Sequence, residues 1–132
     1  MVLEDDCLFL KNSSRVGDVI EEFSNSKADV LCLAFSASQF EPLPAHYKLH
    51  RVFDARTTCC YVLKSHMIGP IGEMAHLSVE LFQKGLPSRF AAFDMVWRRM
   101  QKEKIFVVPS RRLARQRASY SDIEGNFADH GV

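Results

Sequence analysis

Glu4, Asp5 and Asp6 are three adjacent carboxylates set between Val2-Leu3 and Cys7-Leu8-Phe9-Leu10. Carboxylates held this close disfavour one another's charged form, and a fold that gathers them beside apolar residues calls for a cation. Hard divalent ions such as Mg²⁺ or Mn²⁺ suit such a site, because one or two carboxylates hold them while water and substrate phosphate complete the shell. The apolar flanks read as a buried strand that ends in the acids. The plainer alternative is a solvated acidic patch on a frayed chain end.

Further along, Phe93-Asp94-Met95-Val96-Trp97 places an acid near the start of a helix. There Asp94 either complements the helix dipole or serves as a base, taking a proton from a hydroxyl or orienting it. Trp97, one turn later, is a core residue or a stacking surface for a ring. Ser121-Asp122 follows Arg111-Arg112-Leu113-Ala114-Arg115-Gln116-Arg117. These polar residues are turn formers, or a segment in which Gln116 and Asp122 touch a substrate while an arginine pairs with phosphate. The basic run has little aromatic interleaving and the formal net charge is +1, which argues against nucleic acid as a partner. His46, His50, His66 and His76 show no HExxH or paired metal spacing, and His130, near the C-terminus, matches no motif and reads as part of a solvated tail. No Walker-type loop, GxGxxG or GxSxG motif is present.

Composition bounds the class. One hundred and thirty-two residues, 47% hydrophobic and 25% charged, suit one ordinary globular domain. No run approaches the roughly 20 apolar residues of a membrane span, and the acidic start lacks a signal peptide's basic region. Cys7, Cys32, Cys59 and Cys60 form no CxxC and sit in apolar runs, the pattern of buried free thiols in a reducing compartment. The expected location is cytoplasmic, with peripheral membrane association left open.

The elements that must position the acids follow in order. Lys11 to Ser14 is a polar break with candidate helix caps. Val16, Val19, Ile20 and Phe23 recur at helical spacing, and Ala28 to Phe35 is a nearly unbroken apolar run that suits a strand covered on both faces. Ser36 to Tyr47, with two prolines, reads as a surface loop. Lys48–Asp54 and Thr57–Leu63 read as strands. After an interruption at Gly69-Pro70, Ile71 to Phe82 reads as an apolar helix stopped by Gly85 and Pro87, and a second helix follows from Arg89 to Lys102. Ile105–Val108 is a short buried strand. The order β-α-β-loop-β-β-α-α-β implies α/β architecture with a mixed sheet flanked by helices, over residues 1–110, followed by a basic polar tail, 111–132.

In this order the segments resemble glycosyltransferase family 25, which includes lipooligosaccharide galactosyltransferases and collagen galactosyltransferase-like enzymes. The resemblance rests on Leu3-Glu4-Asp5-Asp6 and the following helix and Ala-Asp-Val-Leu-Cys-Leu strand. Thr57-Thr58-Cys59-Cys60-Tyr61-Val62-Leu63 with its ensuing helix, Asp94 with Trp97, and Pro109, Gln116 and Ser121-Asp122-Ile123 complete it. It spans about residues 1–125 and covers the C-terminal catalytic half only. The N-terminal β-α-β portion that contributes much of the family's nucleotide-sugar pocket has no counterpart, and a strand starting at residue 2 suggests a chain that begins inside a larger fold.

The resemblance implies a GT-A-like fold and transfer of a hexose, galactose among the candidates. A nucleotide diphosphate sugar would be the donor and a saccharide, glycoprotein or hydroxylated molecule the acceptor, with inversion at the sugar carbon. It implies Mn²⁺ or Mg²⁺ held by Asp6 with Glu4. Glu4 or Asp5 would order ribose, sugar or metal-bound water, Gln116 and Asp122 would contact the donor, and Asp94 would act as base or acceptor-positioning group. The alternative is a truncated, catalytically silent relative acting as a binding module, covered by a second copy or by a missing N-terminal half.

Overall fold

The structure is a computed structural model that describes residues 1–11, 13–121 and 126–128. Its strands are β1 (Val2–Leu3), β2 (Cys7–Phe9), β3 (Val30–Cys32), β4 (Phe40–Leu43), β5 (His46–Val52), β6 (Cys60–Leu63), β7 (Phe106–Pro109), β8 (Ala114–Gln116), β9 (Ser119–Ser121) and β10 (Asn126–Ala128). The helices are α1 (Val16–Asn25), α2 (Ile68–Gln83), α3 (Ser88–Ala91) and α4 (Phe93–Val96), the last continued by a 3₁₀ segment, Trp97–Lys102. Six strands form one sheet in the order β1-β6-β3-β7-β5-β4. Only β3 and β7 run parallel within it, so the α/β fold carries a mixed but mostly antiparallel sheet. β2 pairs with β8, and β9 with β10, as separate two-stranded ribbons.

The period-two alternation of β3 explains the layering. Leu31 and Leu33 join Leu49, Cys60 and Val107 on one face, where α1 buries Val19 and Phe23. Val30 and Cys32 join Val52, Tyr61, Phe106 and Val108 on the other, against Met67, Ile71 and Trp97 from the later helices. An unbroken apolar run at 28–35 is thus what a central strand between two helical layers requires.

Four segments differ from the sequence expectation. β1 is an edge strand, with Val2 39% and Leu3 51% exposed, and is neither buried nor central. The expected loop at 36–47 contains β4, which tolerates Pro42 because it lies on the opposite edge, and its register shifts at Pro42/Leu43. Gly69-Pro70 does not interrupt α2. Both residues lie in its first turn, where the missing proline N–H has no intrahelical partner to lose. The helix closes as expected at Gly85 (φ +77°), with Leu86 N–H on Leu81 O and Gly85 N–H on Phe82 O.

The expected helix from Arg89 to Lys102 is broken at Ala92, whose ψ of 143° is extended. No glycine or proline marks that break. Tertiary demand overrides helix propensity there, because Trp97 and Gln101 must both reach Ala55. The segment from residue 111 returns to the body. Leu113 and Ala114 are buried, and both their N–H groups reach Leu33 O. Among the described residues no helix is long and apolar enough to cross a membrane.

Candidate functional site

β1 is short because the chain turns immediately after it. Glu4 N–H donates to Cys59 O at 2.9 Å, and Cys7 N–H closes back on Glu4 O at 3.2 Å, so the three acids form the turn between β1 and β2. The β2–β8 pairing sets Cys7 opposite Gln116, and Arg117 N–H donates to Asp6 O at 2.8 Å. This register brings the Gln116 amide onto Asp6, where Nε2 donates to Oδ2 at 2.8 Å. The other carboxylate oxygen, Asp6 Oδ1, is buried and has no hydrogen-bond partner.

Glu4 is held from the other side. The Thr58 hydroxyl donates to Glu4 Oε1 at 2.7 Å. The preceding residue, Thr57, sits at φ +77°, in the left-handed region that a β-branched side chain strongly disfavours. Strain of this kind, on the order of 1–3 kcal/mol, persists only where the surroundings over-determine it. Although Glu4 as a whole residue is exposed, burial is the largest cause raising its carboxyl above the ordinary glutamate value. The Thr58 hydrogen bond opposes that rise, and the charges of Asp6, Asp94 and Asp5 add to it.

The fold therefore gathers most of the residues singled out by sequence. Glu4, Asp5 and Asp6 share one turn, Gln116 touches Asp6, and Asp94, in the first turn of α4, lies close enough for its charge to act on Glu4. Asp122 and His130 lie outside the described residues, and Ser121 ends β9. Trp97 is fully buried, donates its indole N–H to Ala55 O at 3.0 Å, and meets Tyr61 and Phe106 edge-on, so it is a core residue and no stacking surface. Arg115 and Arg117, on either side of Gln116, are exposed. Sequence reasoning missed Thr57 and Thr58 as site residues. The available signal was a polar pair at the entry of an otherwise apolar strand.

Among the described residues, no group of three or more His, Cys, Asp or Glu side chains is arranged to hold a metal ion. A divalent ion bound chiefly through substrate phosphate and water needs only one or two carboxylates, and the orphaned Asp6 Oδ1 beside Glu4 fits that donor set. The cysteines are free. Cys32, Cys59 and Cys60 are buried, and Cys7 is partly exposed. Burial, followed by the neighbouring Cys7 thiol, pushes Cys60 up to about 12 and raises Cys59 as well. An open depression of about 550 Å³ lies elsewhere, lined by Ser38, Gln39, Phe40, Glu41 and Phe53, and shares no residue with the acidic turn. Compared with known proteins, the chain matches no family model, no curated protein and no solved structure.

Proposed function

We propose that the chain is the catalytic half of a metal-dependent glycosyltransferase with a GT-A-like site. It would move a hexose from a nucleotide diphosphate sugar to a saccharide or hydroxylated acceptor. The observation that carries this reading is the buried, unpartnered Asp6 Oδ1 in a turn of three adjacent carboxylates. The sequence resemblance to family 25 supplies the donor and reaction class. In this reading Asp6 and Glu4 hold Mn²⁺ or Mg²⁺, which when bound supplies positive charge to the departing diphosphate. Gln116 fixes Asp6 through Oδ2 and leaves Oδ1 to the cation, and Thr58 fixes Glu4. Asp94 accepts the proton of the acceptor hydroxyl or orients that hydroxyl beside the sugar carbon.

Calorimetric titration of UDP, with and without Mn²⁺, tests the proposal. Micromolar binding that requires Mn²⁺ and disappears in Asp6→Asn is the expected result, with turnover assays to follow. No binding to the folded chain would refute an autonomous enzyme. It would favour the second reading, a catalytically silent binding module, for which the exposed apolar residues of the sheet edge and α2 are the specific observation.

A further inference from the structure

A soluble helix normally turns its polar residues to water and buries the rest. α2 has a polar row of Glu73, His76, Glu80 and Gln83, but part of its apolar surface is exposed as well. Its residues include Ile68, Ile71, Met74, Leu77, Val79, Leu81 and Phe82, yet only Ile71 and Ser78 are fully buried. Ile68, Gly72, Ala75, Val79 and Phe82 recur at alternating spacings of four and three, which places them on one stripe of the helix. Ile68 is 65%, Val79 54% and Phe82 36% exposed, and Ala75 is exposed as well. The Ser78 hydroxyl donates to Ala91 O at 2.6 Å, which sets α3 alongside, and Phe90 on α3 is 52% exposed.

From this face we infer that α2 is the interface of a two-fold dimer of the chain, its occupant a second copy of the same helix running antiparallel. The stripe complements itself. In an antiparallel two-fold pairing Phe82 of each copy meets Gly72 of the other and Val79 meets Ala75, a large side chain against a small one each time, while Ile68 meets Leu86 at the two ends. A Cβ added at Gly72 would meet nothing within 4 Å, so open space stands ready for the partner's ring.

Charge permits the approach. The stripe carries no acid or base, and Glu73 and Glu80 lie more than a quarter-turn round the helix. The area is also adequate. With roughly 150–200 Å² for a whole large apolar side chain, the four exposed ones leave about 400 Å² on each copy. A two-fold contact buries about twice that from these residues alone, and Ala75 with the flanking His76, Gln83 and Leu86 brings it to the lower end of specific interfaces, about 1,200 Å². An interface of that size implies a reversible dimer. The inference does not depend on the chemistry of the acidic turn.

Sedimentation equilibrium of the full chain, from about 5 to 500 μM, reads the result directly. A concentration-dependent monomer–dimer equilibrium is expected. Gly72→Leu should weaken it at least about tenfold by filling the notch, while improving the helix itself, so lost dimer cannot be ascribed to lost fold. Phe82→Ser should weaken it comparably. A wild-type chain that stays monomeric throughout the range overturns the inference. So does a dimer that both substitutions leave unchanged.

Discussion

Gln101 is fully buried and its amide grips a single peptide group. Ala55 N–H donates to Oε1 at 2.8 Å, and Nε2 donates to Ala55 O at 2.8 Å, the same carbonyl that accepts the Trp97 indole N–H. Gln101→Leu keeps most of the volume and removes both bonds. The carbonyl retains the indole, whereas the buried N–H is left without a partner, which costs about 1–3 kcal/mol. We therefore expect a loss of about 2 kcal/mol, read as a lower urea midpoint at unchanged slope and a Tm lower by about 6–10 °C. Trp97→Phe removes the other donor to the same carbonyl. Because each single variant leaves that carbonyl one bond and the double variant leaves none, the pair should cost about 1 kcal/mol more than the sum of the singles. A loss below about 0.5 kcal/mol for Gln101→Leu, with the slope unchanged, would refute the reasoning that this clamp holds the β5–β6 connection.

Two other perturbations follow from the carboxyl and thiol environments. The folded Glu4 carboxyl titrates above its ordinary value, so between those two pH values the folded state holds more protons than the unfolded one. Stability contributed by this group is therefore full below the ordinary glutamate value and falls as pH rises through the folded one. Glu4→Gln should accordingly be more stable than wild type near pH 8 in chelator, by less than about 1 kcal/mol because the residue is solvent-exposed, with the advantage absent near pH 4. Millimolar Mn²⁺ should erase it by stabilising only the wild type. Urea titrations at the two pH values decide this, and a Glu4→Gln chain that is less stable at pH 8 contradicts it. For the thiols, maleimide should label Cys7 alone in the native chain within minutes. Cys32, Cys59 and Cys60 should react only on denaturation, since burial raises all three. Mass spectrometry of a brief labelling reaction checks the count.

How much of this was legible depends on whether an element's pattern is local. α1 and β3 could be read directly, because Val19 and Phe23 on one helix face and the run from Ala28 to Phe35 state their burial by period alone. β4 could not be read, since two prolines resemble a loop unless the strand is known to lie on an edge. Nor could the break at Ala92, which serves the distant Ala55. α2 misleads in the opposite sense, because its sequence promises a buried helix and only two of its residues are fully buried in the single chain. At the acidic turn, the carboxylates and Gln116 could be named from motif order. Thr58 could not, because its importance arises from a partner 54 positions away.

The remaining question is whether the acids are more than a solvated patch, and the backbone answers part of it. A frayed end leaves its peptide groups to water, whereas Glu4 N–H, Glu4 O and Asp6 O are all bonded, two of them to residues more than fifty positions away. Three separate segments meet there: the β1–β2 turn, the strained Thr57-Thr58 pair, and β8. A fold under selection for stability alone would turn this stretch outward, because gathering like charges and burying a carboxylate oxygen without a partner both oppose folding. Both costs fall when a cation sits against Asp6 Oδ1. The turn by itself is in that sense destabilising, so the same measurement, urea stability with and without Mn²⁺, tests the proposed chemistry and the physical account of the turn together.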